Sequence, residues 1–239
     1  MSGATSTPAT VAPRAARAPT GARRPAASPA RRARGEAALG VGVALLGAAV
    51  FATALFGGFV YDDHGLVEHN PTIQSFANAA RWFRTDFADA SGDATALPAR
   101  LRYWRPLVTA SFALDWRLGD GAPVVFHATN LVWHALASLL AFRALRRWLG
   151  DAAPAAVGAL VFALHPAKAE SVAWISGRTD VMCAVGILLA AEGFAARRGA
   201  VAGARRRAGL ALEIAGSALA YGSKELAVVL PTLVAVEAW

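Results

Sequence analysis

The sequence predicts an all-α protein that crosses a membrane several times. Three observations carry that expectation. Hydrophobic residues make up 56% of the 239 and the mean hydropathy is +0.40, which suits a polytopic membrane protein better than a soluble domain. The apolar residues collect in long runs at 37–60, 123–142, 148–164, 181–196, 208–222 and 226–239. The arginines, finally, crowd between alternate runs instead of spreading evenly, the asymmetry that orients a multi-pass chain.

Residues 1–35 are mostly Ala, Pro, Ser, Thr, Gly and Arg and cannot build a core, so a disordered tail is expected. The chain has 24 Lys+Arg against 16 Asp+Glu, but seven arginines and no acid fall in this tail, which leaves the remainder nearly neutral. The basic balance therefore reads as a topology signal, and no nucleic-acid partner is expected. The run 37–60 exceeds a signal-peptide core and reads as a signal anchor. The domain division is then a cytoplasmic tail, 1–35, and a transmembrane domain of about six helices, 36–239, with a large outer loop at 59–122. The last apolar run stops at Trp239 without a polar flank, so this is expected to be the front part of a longer protein. Several runs are shorter than the ~20 residues of a perpendicular span, which works where helix ends line a protein cavity. The one cysteine, Cys183, leaves the redox compartment unread.

Within the loop, "QSFANAARWFRTDF" at 74–87 places Phe76, Ala80, Phe83 and Phe87 on one helical face, as in an amphipathic helix lying on a membrane. Residues 88–100 read as flexible. A second helix begins in "YWRPLVTASFALDWRLG", with Pro106 in its first turn. Arg143, Arg146 and Arg147 follow the second run, and Arg197, Arg198, Arg205, Arg206 and Arg207 follow the fourth. With the tail these are 15 of the 24 bases, assigned to the cytoplasm. The opposite side receives loop 59–122, residues 165–180 and Lys224-Glu225.

The unusual polar groups gather on that opposite side: Asp62, Asp63, His64, Glu68, His69, Arg105, His165, Glu170, Arg178, Asp180, Lys224 and Glu225. Each alone has a plain structural alternative. Asp180 could cap a helix, and Glu170 and Lys224 could form an ion pair. Their convergence from four chain regions favours function. His127, Asn130 and His134 form one helical stripe, but the histidines lie about 10.5 Å apart along the axis, so interhelical hydrogen bonding is the better reading. "HPAKAE" is no zinc motif. Adjacent Asp62 and Asp63 could hold a divalent cation, an option left open because acid pairs also work without one. Both lie beyond the first run, and neither is expected to fill a core. There is no phosphate-cradling glycine loop and no nucleophile elbow. Carboxylates and cations at a membrane mouth fit transfer of a group from a lipid phosphate: the anionic leaving group needs a cation and the acceptor hydroxyl needs a carboxylate base.

"FVYDDHGLVEHNP", "YWRPLVTASFALDW", "FHATNLVWH", "FALHPAKAESVAWISGRTD" and "SKELAVVLP", in this order, resemble the membrane half of the transmembrane and tetratricopeptide-repeat O-mannosyltransferases and their prokaryotic relatives. More broadly the chain is similar to the GT-C glycosyltransferases. The resemblance covers about residues 40–239. It implies a GT-C-like helical bundle in a prokaryotic plasma membrane and a polyprenyl-phosphate-linked sugar donor, usually mannose. It also implies a protein Ser/Thr acceptor and an extracytoplasmic site. It makes Asp62 or Asp63 catalytic and His64, Arg105, His165, Glu170, Arg178, Asp180, Lys224 and Glu225 substrate-binding; of the two nearly equal aspartates, Asp62 is slightly favoured because it lies nearer the membrane. Tyr61 stands where Trp or Phe is common, and Ala167-Lys168-Ala169 replaces the more usual Val-His-Thr. The competing reading is a non-catalytic membrane anchor for a tetratricopeptide-repeat protein. Such an anchor would not need outward acids and bases from four regions.

Overall fold

The computed structural model describes residues 28–87 and 103–238. Among them the backbone forms helices and turns and no strand. The helices are α1 (Pro29–Val50), α2 (Ala79–Trp82), α3 (Pro106–Gly119), α4 (Pro123–Leu149), α5 (Ala152–Leu164), α6 (Ala169–Ala173), α7 (Arg178–Arg198), α8 (Ala204–Tyr221) and α9 (Leu230–Ala238). By length and composition α1, α4 and α7 can cross a membrane, and α5 with Pro166–Ala173, bent by 52°, is a fourth if that pair is one span. The 18-residue α8 carries Arg205, Arg206, Arg207 and Glu213, and α9 has only nine residues. Neither meets that measure on its own.

Local sequence explains the boundaries. Ser28 accepts a hydrogen bond from the Arg31 N–H at 3.4 Å, and Pro29 opens α1. The helix thus begins well before residue 37, inside the stretch read as tail. Residues 1–27 and the stretch read as flexible, 88–100, lie outside the described residues. Prolines also open α3 and α4, and Gly150 closes α4 at φ 72°, a left-handed cap that glycine adopts without strain. His165 is extended ahead of Pro166, which ends α5 and sets the bend.

The long α4 runs through the middle, with α1, α3, α5 and α7 packed around it. Helix α1 approaches it closely at Gly47, where a Cβ would stand 3.1 Å from Ser138 Oγ. Helices α7 and α8 form a tighter, antiparallel pair. A Cβ at Gly216 would lie 2.4 Å from the Ala190 backbone N, and one at Gly193 would lie 2.3 Å from the Glu213 backbone N. Only hydrogen fits at either contact.

The segment 74–87 is less regular than its periodicity predicts. It forms a tight turn at Phe76–Asn78 followed by the single turn α2. Phe76 and Phe83 remain exposed, while Trp82 and Phe87 are buried. Trp82 anchors the segment through an Nε1–H bond to the Thr72 carbonyl at 3.0 Å.

Ion pairs and contacts fix the helix directions. Arg146 meets Glu36 and Gly57 lies by His127, so α1 and α4 are antiparallel. Arg178 bonds the Phe126 carbonyl and Arg143 meets Glu192, so α4 and α7 run in parallel. The arginine-bearing turns after α4 and α7 therefore share one end of the bundle. The turn at 60–64, residues 165–178, Arg105 and Lys224-Glu225 share the other.

Candidate functional site

The two adjacent aspartates have different fates. Tyr61 adopts φ 52°, in the left-handed region that a bulky residue enters only under constraint, and Asp63 is already helical. Successive helical positions diverge by about 100°, so the side chains separate. Asp63 is fully buried. Its Oδ1 accepts from the Ser176 hydroxyl at 2.5 Å and the Ser176 N–H at 2.9 Å, and its Oδ2 accepts from the Val60 N–H at 3.1 Å. Burial pushes this carboxyl above the usual aspartate range, although the hydrogen bonds from Ser176 and Val60 oppose the shift. The expectation that neither aspartate fills a core is thus corrected at Asp63, which ties the first turn after α1 to the loop ahead of α7.

Asp62 is exposed. With Val60, Tyr61, Ala169, Glu170, Ala173 and Trp174 it lines a cleft of about 660 Å³. Two carboxylates, Asp62 and Glu170, thus share one apolar-walled cleft with two aromatic residues. The Trp174 Nε1–H is buried and has no hydrogen-bond partner among the described residues.

The wall is held from behind. Asn130 Nδ2 donates to the carbonyls of Val172, Trp174 and Ile175 at 3.0–3.3 Å. Its Oδ1 accepts from Arg178 Nε at 2.6 Å. Arg178 is completely buried. It pairs with Asp115 at 2.5 Å, donates to the Phe126 carbonyl at 2.7 Å and to Ser111 Oγ at 3.2 Å, and lies against the Phe112 ring. Asp115 also accepts from Thr129 at 2.8 Å. Read from sequence as a substrate contact, Arg178 faces the interior with its donors engaged.

The remaining candidates form a neighbouring group. Lys224 pairs with Asp180, not with Glu170, and Ser171 donates to Asp180 at 3.4 Å, so α6 touches both this group and the cleft. Asp180 lies in the first turn of α7 without capping it. Arg105 makes a two-pronged contact with Glu225, at 2.8 and 3.2 Å, and covers the Tyr103 ring. Burial pushes the Glu225 carboxyl up, but the Arg105 bond, a backbone bond and the charges of Arg105 and Lys224 outweigh it and hold the group below its usual range. His64 meets Glu68 at 2.5 Å on the surface. His165 is exposed and accepts from the Ala167 N–H at 3.1 Å, capping the turn at Pro166. His134 bonds the Ala163 carbonyl at 2.9 Å and Asn130 bonds the carbonyls of Val172, Trp174 and Ile175, the role read for those two members of the stripe; both ring nitrogens of His127 are buried without a hydrogen-bond partner among the described residues. No group of three His, Cys, Asp or Glu able to hold a metal occurs among the described residues.

Asp115 and Ser176 were not singled out from sequence. Asp115 had a readable signal, because helical spacing places it on the same face as Val108 and Phe112, where an acid demands a cation. Ser176 had none, since its importance depends on the packing of two loops.

The site and fold define an integral multi-pass helical membrane protein with a carboxylate-bearing cleft at one end of its bundle. Over roughly 60% of its length the chain is a distant homologue of the TMTC protein O-mannosyl-transferases. It is 35% identical over 165 residues to human protein O-mannosyl-transferase TMTC1, covering 67% of this chain and 18% of that protein. It is 32% identical over 149 residues to Tmtc1 of Drosophila melanogaster, covering 62% and 17%. It is 36% identical over 142 residues to Tmtc2 of the same organism, covering 59% and 15%. The chain therefore spans less than a quarter of the length of these relatives. No family model and no solved structure matches it.

Proposed function

We propose that the chain is the membrane part of a glycosyltransferase that moves a sugar from a polyprenyl-phosphate donor to a Ser or Thr hydroxyl of a protein. The relatives' name makes mannose the sugar of choice. The observation that carries the proposal is the division of labour between the two aspartates: Asp63 is locked into the core, and Asp62 opens with Glu170 on a cleft at the end of the spanning helices. A lipid tail can remain beside the bundle while its sugar enters this cleft.

Asp62 takes the proton of the acceptor hydroxyl as its oxygen bonds to the anomeric carbon. The bond from that carbon to the phosphate oxygen breaks, and polyprenyl phosphate leaves. Negative charge nearby stabilises the oxocarbenium-like sugar. Glu170 orients sugar hydroxyls. Lys224 and Arg105 are the cations for the leaving phosphate and exchange Asp180 and Glu225 for it. Arg178 positions the wall without touching the donor. The reaction runs on the face opposite the arginine-rich turns, which are cytoplasmic in this reading.

The test is incubation of the purified chain in lipid vesicles with labelled mannosyl polyprenyl phosphate and a Ser/Thr-rich peptide. The proposal expects labelled peptide. A well-folded chain that transfers nothing supports the anchor reading instead.

A further inference from the structure

The arginine-rich end contains two kinds of arginine. Arg143 and Arg147 meet Glu192, Arg147 also meets Glu237, Arg146 meets Glu36, and Arg197 meets Glu213. Arg205, Arg206 and Arg207 are exposed and have no acidic partner among the described residues. They occupy the first turn of α8, where the helix dipole disfavours cations, so helix stability does not account for them.

Their setting is specific. Arg206 and Arg207, with Arg197, Ala202, Gly203 and Leu210, line an indentation of about 360 Å³. Below it Leu210 and Ile214, one helical turn apart and both exposed, continue the same face of α8. The 21 residues of α7 match a bilayer core about 30 Å thick, which places Arg197 and the α7–α8 turn at headgroup depth. A cationic hollow above an apolar strip has the two-part chemistry of a lipid.

We propose that the α7–α8 turn binds the headgroup of an anionic phospholipid, with its phosphate against Arg206 and Arg207 and an acyl chain along Leu210 and Ile214. Arg205 adds to the local field. This site is separate from the transfer cleft and does not depend on that reading.

The test places a fluorophore on Ala202→Cys in vesicles of phosphatidylcholine, since native Cys183 is buried. Quenching is compared for small, equal fractions of spin-labelled phosphatidylglycerol and spin-labelled phosphatidylcholine. Phosphatidylglycerol should be locally enriched, on the order of fivefold for each surface arginine that contributes. The preference should fall as salt rises. The triple change Arg205→Gln, Arg206→Gln, Arg207→Gln should abolish it, and the triple change to Lys should keep most of it. Equal quenching by the two lipids in the labelled chain that keeps all three arginines overturns the proposal. A preference that survives the triple Gln change overturns it too. So does a preference abolished by free glycerol phosphate, because that describes a site for soluble anions.

Discussion

Replacing Asp63 should damage the fold before it damages the chemistry. Its carboxylate is fully buried and accepts three hydrogen bonds, two from Ser176 and one from the Val60 N–H. Asn has one oxygen. Turned toward Ser176, it keeps those two bonds and points an N–H₂ at the Val60 N–H, a donor against a donor. The loss is one charge-assisted bond and one stranded donor, about 2–3 kcal/mol. Asp63→Ala strands the Ser176 donors as well and should cost more, roughly 3–5 kcal/mol. Asp62→Asn should cost close to nothing, because Asp62 is exposed and its side chain makes no hydrogen bond among the described residues. The assay is thermal unfolding in detergent, followed by helical circular dichroism. Its expected order of stability is wild type and Asp62→Asn together, then Asp63→Asn, then Asp63→Ala. Equal stability of Asp63→Ala and wild type would refute the assignment of Asp63 as a tether.

Three further outcomes are expected. Gly216→Ala drives a methyl into the Ala190 backbone and should destabilise the α7–α8 pair by about 1–3 kcal/mol, visible as a lowered melting temperature; an unchanged melting temperature would contradict the close packing. Arg178→Met leaves Asp115 buried and unpaired and should cost about 3–5 kcal/mol, whereas the double change Arg178→Met, Asp115→Leu should recover part of that loss; a double variant no more stable than the single would contradict the pairing. The Glu225 carboxyl is held below its ordinary value of 4.5, so its stabilisation is present above that pH and is lost as pH falls through the folded-state value. The acid-side fall in melting temperature should therefore be shallower in Glu225→Gln, and an unchanged slope would contradict the Arg105 contact.

Much of the fold was legible because it follows from one-dimensional signals. The apolar runs 37–60, 123–142, 148–164 and 181–196 marked the candidate spanning helices, whereas 208–222 and 226–239 fall on α8 and α9, which do not meet that measure on their own; Pro106 opened α3 as read. The α1 start was missed because Ser28-Pro29 is a cap signal set inside an arginine-rich stretch that composition alone assigns to a tail. At 74–87 the periodicity of Phe76, Ala80, Phe83 and Phe87 suggested a continuous helix, but tertiary anchoring of Trp82 to Thr72 prevailed. The gathering of polar residues at one end was readable from chain topology. Their pairing was not. Sequence cannot say that Lys224 reaches Asp180 rather than Glu170, or that Arg178 turns inward to Asp115, because each choice depends on the rotation of packed helices. The left-handed Tyr61 that helps send Asp62 and Asp63 apart likewise has no local signature, being a non-glycine residue at positive φ.

The most direct test of the account is the rate of sugar transfer from mannosyl polyprenyl phosphate by Asp62→Asn beside the wild-type chain, with melting temperatures matched. Asn keeps the shape of the side chain but neither its charge nor its basicity. The account predicts a loss of roughly 10²–10⁴-fold, or about 3–5 kcal/mol in the barrier, with stability unchanged. Transfer by Asp62→Asn at the wild-type rate would contradict it.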